Sequence, residues 1–208
     1  MLRAINVRQL SPADDSTSIY HIFERLNTGG VALKPQEIRN CVFAGRFAAE
    51  LKDLNLNEDW RAIMGSNVVD RHQRDIELIL RLFALSGSWE SYVRPMKEYL
   101  NVAMKSNKSG GSRRIARFSG DFRQAVKIAR KELGDKPFHV RGPLNTAVLD
   151  SVLGTILAHR SRLRKDWIKR FEGLKEMPEF LAATTAATAD ENSVKGRFRL
   201  AEKRLLEA

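Results

Sequence analysis

Arg25, Asn27 and Glu37 flank a glycine pair in FERLNTGGVALKPQEIRN, residues 23–40, and guanidinium, amide and carboxylate groups around open backbone can hold a ligand. Gly29 and Gly30 leave a small surface that a ligand can approach closely. Glu37, Arg39 and Asn40 fall in the opening turns of the next helix, where free N–H groups receive an anion. Glu37 would oppose that anion unless Arg25 or Arg39 neutralised it. The plainer chemistry is a helix stop: a chain ending on Asn or Thr and then a left-handed glycine satisfies its orphan carbonyls. One glycine suffices for that, and on the residues alone the stop is favoured.

A second chemistry is carried by charge. The chain has 36 Lys and Arg against 25 Asp and Glu, a net +11, and residues 108–208 hold 22 basic and 12 acidic residues. Residues 1–107 hold 14 and 13, so nearly all of the excess sits in the second half. Arg113, Arg114 and Arg117 in one segment, and Arg162, Arg164, Lys165, Lys169 and Arg170 in another, are of the type and density that contact phosphates. A solvated helical surface that keeps the protein soluble has the same composition, and charge by itself leaves both readings open.

Other chemistries lack their residues. No phosphate loop of the G-x-x-x-x-G-K-[ST] type occurs, and NKSGGSRR reads as a flexible helix connection. His21, His72, His139 and His159 are scattered, without Cys, Asp or Glu at metal-ligand spacing, and read as surface or interface residues. Neither an HNH nuclease signature nor a G-x-S-x-G elbow is present. Cys41 is the one cysteine, so no intramolecular disulfide forms; a reducing, cytoplasmic setting and a place in the core are expected for it. The first residues lack an apolar run long enough for a signal peptide or membrane span, and no membrane partner is expected.

The elements that must position these residues are read from periodicity. LRAINVRQL, residues 2–10, has β-formers and predicts a strand; Ile19, Ile22, Phe23 and Leu26 at one-turn spacing predict a helix ending at Gly29-Gly30. Pro35 opens the next helix, which carries one apolar face of Ile38, Cys41 and Val42 and a second of Phe43, Phe47, Leu51 and Leu54. NEDWRAIMG is a short helix closed by Gly65. RDIELILRLFAL, residues 74–85, is the most apolar segment and the expected central helix, with Asp70 as its cap and Glu77 and Arg81 placed for an ion pair. Pro95 bends or divides a helix over Trp89–Met104. Further helices are expected over 113–133, ended by Gly134, over 144–160, and at the chain end with Leu200, Leu205 and Leu206 as its apolar residues. The fold class is mainly α: a multi-helix array with one N-terminal strand.

On these motifs the chain resembles a known family. IYHIFERLNTGGVALKPQEIRNCVFAGRF is similar to the signature segment of the N-terminal domain family of GmrSD-type, modification-dependent restriction enzymes, at Phe23, Arg25, Leu26, Asn27, Gly29, Gly30, Leu33, Glu37 and Ile38. RDIELILRLFAL resembles the family's helix at Arg74, Asp75, Glu77 and Arg81, and TTAATADENSVKGRFRLAEKRL resembles its usual end. The resemblance implies a ParB/sulfiredoxin-like domain followed by helices, and a nucleoside triphosphate site, with Mg, to which Arg25, Asn27, Gly29, Gly30 and Glu37 belong. It departs in two respects: the family's upstream Asp-Gly-Gln-Gln-Arg motif is absent, and no HNH signature is found in these residues. The expectation is therefore a remnant of the ParB-like domain over 1–30, its strand left from the ParB-like sheet, joined to a helical domain over 31–208 in one compact unit. Such a chain would be a fragment, a truncated product or half of a split system. The implied role is a DNA-binding and coupling module, not catalytically complete, with a nuclease or ParB-like partner chain. The readings that compete with it are a nucleotide-hydrolysing enzyme and a structural or regulatory subunit.

Overall fold

The computed structural model describes residues 17–26 and 33–207, and within them all regular structure is helical. The predicted strand at 2–10 and Asn27 to Gly30 lie outside the described residues. The front half holds α1 (Thr17–Leu26), α2 (Pro35–Val42), α3 (Arg46–Leu54), α4 (Glu58–Met64), α5 (Arg74–Leu85) and α6 (Met96–Asn107). The rear half holds α7 (Arg113–Leu133), α8 (Thr146–His159), α9 (Trp167–Lys175), α10 (Pro178–Thr185) and α11 (Glu191–Leu206). No helix among the described residues is long and apolar enough to cross a membrane.

Two helices share the centre. α5 buries Ile76, Leu78, Ile79, Leu80, Leu82 and Phe83, as its all-round apolar sequence predicts. α8 is buried without interruption from Ala147 to Leu157, so it matches α5 as a core rod. α2, α3 and α6 pack around α5, α1 packs on α2 and α6, α10 and α11 close over α8, and α9 packs on α10 and α11. The 21-residue α7 spans both groups, touching α3 and α4 at the front and α8 behind. Its caps are legible in the sequence: the Ser112 hydroxyl accepts from the Ile115 N–H at 3.2 Å, and the helix stops at Gly134. Asn57 caps α4 in the same way, and left-handed Gly65 closes it.

Several expectations are corrected. The two-faced helix around Cys41 is really two helices, broken between Val42 and Arg46. The buried arc of α2 is centred on Arg39 rather than on Cys41, which is exposed. α5 is capped by left-handed Gln73, while the Asp70 carboxylate accepts from the His72 N–H at 2.7 Å. Glu77 and Arg81 do not pair with each other: Glu77 accepts from Arg39 at 2.8 Å, and Arg81 grips Asp150 on α8. Pro95 divides its segment into a 3-10 turn at Trp89–Ser91 and α6. In α11 the buried residues are Val194, Arg197, Phe198, Ala201 and Leu205; Leu200 and Leu206 only flank the core.

One buried polar cluster is well satisfied. Asp75, 1% exposed, accepts from Arg61 Nη1 at 2.7 Å and from the Asp70 and Ile76 N–H groups at 3.0 and 2.9 Å. Burial pushes its carboxyl up, but the Asp70 N–H, Asn55 and Arg61 outweigh burial and hold it below the ordinary carboxylate range. A depressed carboxyl stabilises the fold above its unfolded pKa, and that contribution is lost as pH falls through the folded value. Asp75→Asn is therefore expected to cost about 3 kcal/mol at neutral pH, in urea midpoints. The gap to the unaltered chain should narrow as pH falls below the ordinary carboxylate range, and a gap that stays constant with pH would contradict this account.

Candidate nucleic-acid interface

The residues carried by the Asn-Thr-Gly-Gly motif are described only at its edges. Arg25 is exposed in the last turn of α1. Glu37 is committed within the fold: its Oε2 accepts from the Lys34 N–H at 2.7 Å and lies 3.4 Å from His72 Nδ1. Asn27, Gly29 and Gly30 lie outside the described residues. What the sequence did not show is that Arg39 is the centre of a buried hub. Arg39, 1% exposed, donates to Asn101, Gln36 and Glu77 at 2.8–2.9 Å and so ties α2 to α5 and α6. Near it the Tyr20 hydroxyl is buried without a hydrogen-bond partner. Burial pushes that phenol up to about 12, against the pull of Arg39.

The basic segments are placed differently. The loop before α7 is not a loose connection, because Gly110 lies flat on the start of α3. A Cβ at Gly110 would stand 2.4 Å from Arg46 Cβ and 3.2 Å from the Phe47 nitrogen, and φ of 66° already favours glycine there. That close approach fixes where α7 begins, and with it Arg113 and Arg114.

Arg113, Arg114 and Arg117 form one wall of a cleft of about 460 Å³ whose floor is Phe83, Phe118 and Leu157. The cleft runs to Gly87, in the turn after α5, and to His159, at the end of α8. A second cleft of about 220 Å³ shares Gly87 and His159 and is lined by Trp89, Arg162 and Glu202. A third, of about 400 Å³, shares Gly87 and Arg114 and carries Ser91, Tyr99 and Asn107. Gly87 thus lines all three clefts. Its φ is 68°, and a Cβ there would meet only Ala158, at 3.8 Å.

Carboxylates are interleaved with the cations. Asp121 lies 3.4 Å from Arg117, one turn away, and also accepts from Arg160. Glu202 accepts from Trp89 Nε1 at 2.8 Å and stands 3.4 Å from His159 Nε2. Arg117 keeps 83% of its side chain exposed despite its partner, so the wall still presents a cation to solvent.

The second predicted segment divides. Arg162 lines the second cleft, whereas Arg164, Lys165 and Lys169 line none of the three. Arg170 serves the fold: Nη1 donates to the Arg204 and Glu207 carbonyls at 3.3 and 3.0 Å, and Nε to Asp166 at 2.9 Å. A cation at the negative end of α11 is the expected partner for those carbonyls. Sequence reasoning passes over Arg160, Gly87 and the place of His159 in the groove. The only signals for them are a basic HRSR run and an SGS turn, whose neighbours come from distant parts of the chain.

Among the described residues no group of three or more His, Cys, Asp or Glu is placed to hold a metal ion. Three arginines beside apolar side chains have the chemistry suited to an anion that carries an apolar or planar portion. No protein-family model matches the chain, and no curated protein or solved structure is significantly similar to it.

Proposed function

We propose that the chain is a nucleic-acid-binding and coupling module of a GmrSD-like restriction or phage-defence system. Its partner is DNA, and the chemistry is supplied by a nuclease or ParB-like chain or domain. The observation that carries this reading is that Arg113, Arg114 and Arg117, and Arg162 from a distant segment, line neighbouring clefts that share Gly87 and His159. Guanidinium groups at that density match a phosphate backbone, and the remaining excess of positive charge raises the rate of encounter.

Titration with duplex DNA at several salt concentrations tests this. Affinity should fall linearly in a log–log plot against salt. Substitution at this shared residue localises the interaction: Asn and Asp both tolerate the left-handed backbone of Gly87, so Gly87→Asn and Gly87→Asp fold alike. Gly87→Asp, which places a carboxylate beside the clefts, should weaken binding about tenfold more than Gly87→Asn. Binding that is independent of salt, or absent at low salt, rejects the proposal.

A further inference from the structure

Phosphate binding alone does not explain how Arg114 is held. Its guanidinium carbon lies over the Phe83 ring, 4.5 Å from the centroid, and Nη2 reaches the Phe83 carbonyl at 3.4 Å. Phe83 cannot turn away. It packs against Phe47 at 4.6 Å and edge-on against Phe118 at 5.1 Å, and Phe118 continues to Phe122. Phe83 and Phe118 are only 3% and 6% exposed, so neither ring offers an open face to a ligand. Arg114 is exposed and borders both the first and third clefts. Its guanidinium carbon is therefore seated over a fixed aromatic ring, while the side chain stays exposed beside both clefts.

Resting on the nucleic-acid reading above, we propose that Arg114 is a stacking platform for an unpaired nucleobase, with Arg113 and Arg117 on the flanking phosphates. Guanidinium planes stack on bases as aromatic rings do, and a plane already held in place loses little freedom when the base arrives. The cleft of about 460 Å³ falls within the usual size range of small-ligand sites, roughly 300–1,000 Å³, with room for one extruded base beside Arg114. The groove would then prefer single-stranded or locally unpaired nucleic acid to a fully paired duplex. Its selectivity would be for the presence of a base and only weakly for its identity.

The test compares a single-stranded oligonucleotide with one of equal length and charge in which the bases have been removed, on the full chain and on Arg114→Lys. Lysine keeps the cation over Phe83 but has no plane. The unaltered chain should bind the base-bearing strand about tenfold more tightly. In Arg114→Lys that preference should fall to about unity. Equal binding of both strands by the unaltered chain, or a preference that survives Arg114→Lys, overturns the proposal while leaving polyanion binding intact. If neither strand binds at low salt, the nucleic-acid reading fails and this one with it.

Discussion

Replacing Asp150 by asparagine is expected to destabilise the chain by about 3–5 kcal/mol, lowering its urea midpoint by about 1 M or more. Asp150 is fully buried on α8 and is shared by two arginines. Arg81 of α5 donates to it from Nε at 3.2 and 3.0 Å, and again from Nη2. Arg197 of α11, also fully buried, reaches it at 3.4 Å and sends Nη1 to the Thr188 carbonyl at 2.6 Å. The two cations do not titrate alike. Burial pushes Arg197 down, whereas at Arg81 burial is outweighed by Asp150 and the guanidinium is held above its usual value. One carboxylate therefore compensates two buried positive charges, and Nε of Arg197 still lacks a hydrogen-bond partner. Asparagine keeps the shape and removes the charge, leaving both cations uncompensated in a low-dielectric core.

The same reasoning fixes the control. Removing all three charges together, as Arg81→Met with Asp150→Leu and Arg197→Met, should restore most of the stability, because a buried ionic group replaced by apolar side chains of similar volume is often neutral. A single Asp150→Asn midpoint within about 0.3 M of the unaltered chain would show that water reaches the cluster and screens it.

Removing the charge of three groove arginines is the second large effect. The combined variant Arg113→Gln, Arg117→Gln and Arg162→Gln should reduce the slope of log affinity against log salt by about 3, near one unit for each phosphate no longer neutralised. Arg164→Gln, Lys165→Gln and Lys169→Gln together remove the same charge from positions that line none of the three clefts, and should change the slope by less than about one. Net charge alone would affect both sets equally, so equal slopes for the two triple variants would dismiss the groove as the binding surface.

Helix positions, a few helix stops and the mainly α class follow from local rules acting within a few residues, and the chain states them openly. The run at 74–85, the span Arg113–Leu133 with its Gly134 stop, and Gly65 after α4 all appear where periodicity and end signals put them. The uneven charge that motivates a polyanionic partner is likewise a property of composition. Pairings across the fold were not legible, because a charged residue on a helix shows its local neighbours and not its distant one. Glu77 and Arg81 look like partners one turn apart, yet each faces a different helix and finds Arg39 or Asp150 there. Arg197 reads as one more cation in a basic tail, and only the packing of α11 on α8 buries it beside Asp150. The groove is the clearest case. Arg114, Gly87, His159 and Arg162 come from separate segments, and it is the docking of Gly110 on α3 and of α8 behind α5 that brings them to one place.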